Sequence, residues 1–228
     1  MQPQKNEWAG RMQPERMRAL LKLYFVMGSP NCRLEPEKVL EEAIKGGVTI
    51  FQFREKGPGA LSGENKRRLG EKLRDICRSR GIPFIVNDDV DLALELDADG
   101  VHIGQEDGDA RAVREKIGAR ILGISAHDVE EVRRAVDDGA DYVGVGPMYP
   151  TSTKPDTRAV CGPEMVKAIR AQFPHFPLVA IGGIKADNIA DVLASGADGA
   201  AVITAISDSN DPRLAAQQLA DAHFLRPE

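Results

Sequence analysis

In the stretch QFREK, the polar residues Gln52, Arg54 and Lys56 stand two apart, so on a β-strand all of them point to one face. Two cations and an amide donor on one face suit a polyphosphate, because a guanidinium can grip two oxygens at once. The plainer alternative is a solvated rim of long charged side chains. Further along, Asn87, Asp88 and Asp89 follow an apolar run, and Asp107 closes the stretch GQED. A carboxylate pair of Asp88 and Asp107 suits a hard cation such as Mg²⁺, which takes one or two carboxylates and fills its octahedron with water and substrate phosphate oxygens. Asp89 and Asp91 compete for that role, although an acidic residue ahead of a helix is also a common N-cap.

Ser125, in GISAHD, either caps the helix that follows, as Asp128 also can, or serves a ligand. His127 is open between general acid/base work and a structural loop position, and without an apparent acidic partner the structural reading is preferred. The segment GPMYPTSTKPDTRA, residues 146 to 159, sets Thr151, Ser152, Thr153 and Lys154 between Pro150 and Pro155. So polar a connection is expected to be functional, closing over a site and keeping water out.

The elements that must position these residues are legible from their runs. β-rich stretches recur at 23 to 28, 49 to 54, 83 to 88, 100 to 104, 121 to 125, 142 to 146, 177 to 182 and 199 to 204. Between them lie segments of helical spacing, such as PEKVLEEAIKGG and DVEEVRRAVDDGA, that open on Pro, Asn or Asp and stop at Gly. The strands are nearly continuous apolar runs, as in a parallel sheet covered on both faces. DADGVHIG, GADYVGVG and GADGAAVI repeat one pattern of helix stop, turn and strand entry. This alternation predicts a single-domain α/β fold, a (β/α)8 TIM barrel, whose active site forms at the C-terminal strand ends. There Gly182 and Gly183, with Ile203 and Thr204, would cradle a monophosphate on backbone N–H groups.

The 228 residues are 42% hydrophobic and carry a formal net charge of −5 without a dense Lys/Arg block, which argues against nucleic acid as a partner. Cys32, Cys77 and Cys161 lie far apart and form neither a zinc pattern nor a disulfide framework, pointing to thiols in a reducing cytosol. The apolar stretch ALLKLYFVM is interrupted by Lys22 and too short to span a membrane. A cytoplasmic location with no membrane partner is therefore expected. Residues 1–20 are expected to be a frayed extension, leaving residues 21–228 for the barrel.

Taken together, QFREK, VNDDVDLAL, DGVHIGQED, GISAHDVEE, GADYVGVGPMYPTSTK, AIGGI and GADGAAVITAI resemble the thiamin phosphate synthase family over about residues 20 to 222. The resemblance implies a (β/α)8 transferase that joins a hydroxymethylpyrimidine diphosphate to a thiazole phosphate and releases pyrophosphate. It implies that Gln52, Phe53, Arg54, Glu55, Lys56, Asn87, Ser125 and Lys154 bind the pyrimidine diphosphate, with Arg54, Lys56, Ser125 and Lys154 acting in catalysis. It makes Asp88 and Asp107 ligands of one Mg²⁺, and puts the thiazole phosphate on Thr151, Ser152, Thr153, Gly183, Ile203 and Thr204. Many relatives have serine at position 204, and the threonine here keeps the hydroxyl while adding a methyl. The partners implied are small molecules, with homo-oligomerisation left open. A rival within the same superfamily is a thiazole tautomerase, in which His127 would move the proton; a rival of another class is a non-catalytic sensor of thiamin phosphate.

Overall fold

Short apolar runs punctuated by Gly become parallel strands when helices cover one face and the facing strands the other. The computed structural model describes residues 12–151, 153 and 159–222. Its strands are β1 (Leu23–Met27), β2 (Ile50–Phe53), β3 (Phe84–Asn87), β4 (Gly100–Ile103), β5 (Ile121–Ala126), β6 (Tyr142–Val145), β7 (Leu178–Ile181) and β8 (Gly199–Val202). They pair in sequence order, and β8 returns to β1 in parallel to close an eight-stranded barrel. Around them run α1 (Pro14–Leu20), α2 (Pro36–Lys45), α3 (Gly63–Ser79), α4 (Val90–Glu95), α5 (Ala110–Ile117), α6 (Val129–Asp137), α7 (Gly162–Gln172), α8 (Ile189–Ala194), α9 (Thr204–Ser207) and α10 (Pro212–Asp221). The expected (β/α)8 architecture is the one observed.

The two-residue alternation of each strand separates two cores. Phe25, Phe51, Phe53 and Phe84 belong to the layer between strands and helices, and the Phe53 and Phe84 rings stack 6.2 Å apart. Val26, Ile50, Ile85, Ile121 and Val179 fill the barrel itself. That inner cluster is completed by Met17 of α1 and by Leu21, both fully buried. Residues 12–20 are thus not a frayed extension. The inner ends of the strands would otherwise face water, and Met17 and Leu21, one helical turn apart, cover them; burying each such side chain contributes about 1.5–3 kcal/mol.

The repeated DADG, GADY and GADG units have a structural reason. Asp99, Asp141 and Asp198 each stand just before a strand and accept a backbone N–H from the start of the preceding strand, that of Phe84, Leu122 and Leu178, at 2.8 Å. Arg114 and Arg170 anchor the latter two carboxylates at 2.6 Å, and Arg18 of α1 adds a second contact to Asp198. These clamps hold the N-terminal rim, opposite the end where the polar residues collect.

Candidate active site

Alternation along β2 distributes the QFREK motif. Gln52 lies buried inside the barrel, its Nε2 donating to Tyr24 Oη at 2.9 Å, and Arg54 is only 5% exposed, which rules out a merely solvated rim. The Phe53 side chain lies in the outer core instead, and the Glu55 carboxylate is occupied by Ser29 N and Oγ and by Leu61 N. Among the side chains of the motif, then, Phe53 packs and Glu55 shapes the loop, leaving Gln52, Arg54 and Lys56 for the site. Gly28 of the neighbouring strand end is required here, since a Cβ on it would fall 2.1 Å from the Arg54 carbonyl oxygen.

Asn87 ends β3 beside His102 of β4, and Asp88 follows with φ +63°, a left-handed conformation that aspartate tolerates better than most residues. Its N–H donates to the His102 carbonyl at 2.8 Å, which fixes this turn. Lys56 Nζ lies 3.0 Å from Asp88 Oδ2. Burial holds the Asp88 carboxyl above the usual carboxylate range; the Lys56 ammonium opposes that shift and the neighbouring Asp107 carboxylate adds to it. The competing acids are otherwise engaged: Asp89 caps α4 through Leu92 N and pairs with Lys66, while Asp91 pairs with Lys116. Asp107 stays beside Asp88 because its Oδ2 accepts the Gly104 N–H at 2.8 Å. Two adjacent carboxylates, one of them held back from ionising mainly by burial, fit a divalent cation. Among the described residues no group of three His, Cys, Asp or Glu side chains forms, so water or substrate oxygens would supply the remaining ligands.

On β5 the choice of cap is settled by Asp128, whose side chain accepts the Glu131 N–H at 2.8 Å and leaves the Ser125 hydroxyl free of that duty. Ser125 Oγ instead lies 3.0 Å from His102 Nε2, and Gln105 Nε2 donates to the Ser125 carbonyl at 2.6 Å. His127 has the acidic partner that its sequence did not reveal. Glu131, buried one turn into α6, sits 2.8 Å from His127 Nδ1 and also accepts the His127 N–H.

Past β6, Met148 N and Tyr149 N donate to the carbonyls of Ile181 and Gly182, which lays the start of the polar loop along β7. Gly183, with φ +66°, permits this approach, for a Cβ would come within 2.9 Å of Tyr149 and Pro150. The loop then brings Thr151 and Thr153 together at 3.3 Å, and Thr153 Oγ1 lies 3.4 Å from Thr204 Oγ1 at the start of α9. Ser152 and Lys154 lie outside the described residues.

A cavity of about 750 Å³ opens at the C-terminal mouth of the barrel, and Gln52, Arg54, Asn87 and Asp88 do not line it. Lys56, Asp107 and Ser125 line it on the β2–β5 arc, and Thr151, Thr153, Gly183, Ile203 and Thr204 line it on the β6–β8 arc. His127, Gln105 and Lys185 also reach it and were not among the residues expected to bind a ligand. His102 and Tyr142 were missed entirely, though a histidine and a tyrosine at inward positions of GVHIG and DYVGVG are unusual inside an apolar barrel.

The family model described as thiamine monophosphate synthase matches residues 23–206. A thiamine-phosphate synthase of Geobacillus thermodenitrificans is 55% identical over 212 residues, covering 93% of this chain and 96% of that protein. One of Bacillus velezensis is 53% identical over 211 residues, covering 92% and 94% respectively. A solved structure of a thiamine phosphate pyrophosphorylase from Pyrococcus furiosus superposes with a TM-score of 0.82 at 35% identity, covering 92% of this chain and all of that one.

Proposed function

The chain belongs to the thiamine monophosphate synthase family, and on that premise we propose that it is a transferase coupling an aminopyrimidine methyl diphosphate to a thiazole phosphate, with release of pyrophosphate. The observation that carries this reading is a single cavity with the Lys56 ammonium and the Glu106 and Asp107 carboxylates on one arc and a cluster of threonine hydroxyls on the other. Such a cavity can seat two phosphorylated molecules side by side.

In the reaction the exocyclic C–O bond to the diphosphate breaks, and a C–N bond forms to the thiazole nitrogen. The electron-rich aminopyrimidine spreads the positive charge that develops on the carbon, and the bond's electron pair leaves on the pyrophosphate oxygen. The chain's task is to stabilise that leaving charge and to hold the nucleophile in line. Arg54, Lys56, Ser125 and Lys154 are assigned to the diphosphate, with Gln52 and Asn87 positioning the pyrimidine. Thr151, Ser152 and Thr153, the Gly183 backbone, Ile203 and Thr204 are assigned to the thiazole phosphate. Asp88 and Asp107 would hold Mg²⁺, which when bound supplies countercharge to the diphosphate oxygens. The thiazole nitrogen already carries its lone pair, so neither a base nor a covalent residue is required.

Pyrophosphate release measured with both substrates, with and without Mg²⁺, tests the assignment. Metal-dependent release in step with thiamin phosphate formation is expected; absence of coupling by a folded, metal-supplied protein would overturn it. One observation favours a second reading, proton transfer on a thiazole: the His127–Glu131 pair at the cavity. The same assay separates the two, because isomerisation releases no pyrophosphate.

A further inference from the structure

Barrel interiors are ordinarily packed with branched apolar side chains. Here a continuous file of polar groups crosses the upper interior. Gln52 Nε2 donates to Tyr24 Oη at 2.9 Å, and the Tyr24 and Tyr142 hydroxyls are 2.7 Å apart. Tyr142 Oη is 2.9 Å from His102 Nδ1, and His102 Nε2 is 3.0 Å from Ser125 Oγ. The file joins β1, β2, β4, β5 and β6, and of its members only Ser125 lines the cavity.

The backbone makes room for it. A Cβ on Gly123 would fall 2.3 Å from Tyr142 Oη and 2.5 Å from His102 Nδ1, and one on Gly144 would fall 3.2 Å from His102 Cε1. Burial pushes both phenols far above the usual tyrosine range, so each keeps its single proton.

Proton counting then sets a direction. An amide nitrogen only donates, so Tyr24 Oη accepts from Gln52 and its own proton goes to Tyr142. Tyr142 accepts there and passes its proton to His102 Nδ1, which must be the bare nitrogen. His102 therefore carries its proton on Nε2 and gives it to Ser125 Oγ. We infer that this relay runs one way, from Gln52 to Ser125, so that the Ser125 hydroxyl proton is turned into the cavity as a preset donor to an anionic ligand and His102 is its positioning residue. The reverse sense would need the Gln52 carbonyl at Tyr24 and would leave Ser125 spending its proton on His102.

The relay's sense belongs to the free protein, while its use on a leaving diphosphate rests on the proposed function. Nitrogen-15 NMR of histidine-labelled protein without substrates reads the first part, with the His102 signals assigned by their loss in His102→Gln. A protonated Nε2 and a bare Nδ1 are expected; the opposite tautomer, or a proton on both nitrogens, overturns the relay whatever the enzyme's activity. The second part is read in coupling kinetics. Tyr142→Phe, which removes the donor to Nδ1, should lower kcat ~10-fold with little change in KM for the thiazole phosphate. His102→Gln, whose amide can still reach Ser125, should retain several times the kcat of His102→Asn. If His102 only fills space, Tyr142→Phe would lower Tm and leave kcat per folded enzyme unchanged, which also overturns the inference. Should the His102 variants fail to fold, the His102 signals are assigned by elimination in His127→Asn, His175→Asn and His223→Asn, and the tautomer and Tyr142→Phe decide alone. A wild-type protein with the expected tautomer and no coupling activity would instead count against the proposed function.

Discussion

The Lys56 ammonium lies 3.0 Å from Asp88 Oδ2, so a cation assigned to a diphosphate and a carboxylate assigned to a metal neutralise each other in the ligand-free protein. Their side chains are 47% and 24% exposed, and a pair so open to water contributes at most about 1 kcal/mol. Exchanging partners when metal diphosphate arrives is therefore cheap. Lys56→Ala removes the placeholder and leaves Asp88 and Asp107 facing each other uncompensated. Calorimetric titration without substrate should show Mg²⁺ binding several-fold tighter, while kcat for coupling falls about 10²-fold. Weaker Mg²⁺ binding would mean that the ammonium supports the metal site.

Asp88→Asn should separate stability from activity. The Asp88 carboxyl is raised in the folded protein, mainly by burial, so its own contribution to stability is fullest below the ordinary aspartate pKa of about 3.9 and is lost as pH rises through the higher folded value. Asparagine escapes that decline and also tolerates the left-handed backbone. Thermal melts without metal should show the variant gaining on wild type between acid and neutral pH. Turnover with Mg²⁺ should fall at least about 10²-fold. A variant that loses Tm at neutral pH would show that the Lys56 ion pair outweighs burial.

The hydroxyls of Thr153 and Thr204 touch at 3.4 Å from segments that are 51 residues apart, and each is assigned to the same phosphate. Replacing either by valine keeps the shape and removes one donor. KM for the thiazole phosphate should rise about 10-fold in each variant, with KM for the pyrimidine diphosphate unchanged. The double variant should show coupling between the sites, since they share a target. Effects on the pyrimidine KM alone would move these residues to the other substrate.

The fold was legible because strand runs, glycine stops and the Asp-Gly strand entries all agree, and the inward parity of Gln52 and Arg54 followed from that alone. Phe53 and Glu55 came only with the family motif; alternation turns the first outward, and the Ser29 and Leu61 contacts that occupy the second lie on other loops. The floor of the barrel was hidden because the spacing of Met17 and Leu21 says that they share a face but not what covers it. The relay was hidden for a similar reason: Tyr24 and Tyr142 meet across 118 positions, and only closure of the barrel brings them together. Glu131 was within reach, standing four residues after His127 once Asp128 is recognised as the cap.

Asp141 offers a test of the clamps away from the site. Its side chain is 4% exposed and receives both the Leu122 N–H and Arg114. Asp141→Ala leaves a buried strand N–H without its acceptor and takes the carboxylate from Arg114, whose guanidinium keeps the Gly118, Arg120 and Gly139 carbonyls, a loss of about 1–3 kcal/mol. Denaturant unfolding should show that drop, whereas kcat of the remaining folded enzyme should stay near wild type, because the clamp sits at the opposite rim. A selective loss of kcat with intact stability would contradict the assignment of this motif to structure.

His127 decides between bond formation and proton transfer. Glu131 holds its Nδ1 at 2.8 Å, an arrangement that suits an acid/base residue. The coupling proposed above asks for no such residue, since in it the thiazole nitrogen would attack with its own lone pair and pyrophosphate would leave with countercharge supplied by the cations assigned to it. His127→Asn should therefore lower coupling turnover no more than about threefold, against the 10²–10⁴-fold that loss of a general acid or base brings. Measured with separately prepared thiazole tautomers, the variant should treat them in the same ratio as wild type. A collapse of turnover confined to one tautomer would assign the His127–Glu131 pair to proton transfer on the thiazole before the bond forms.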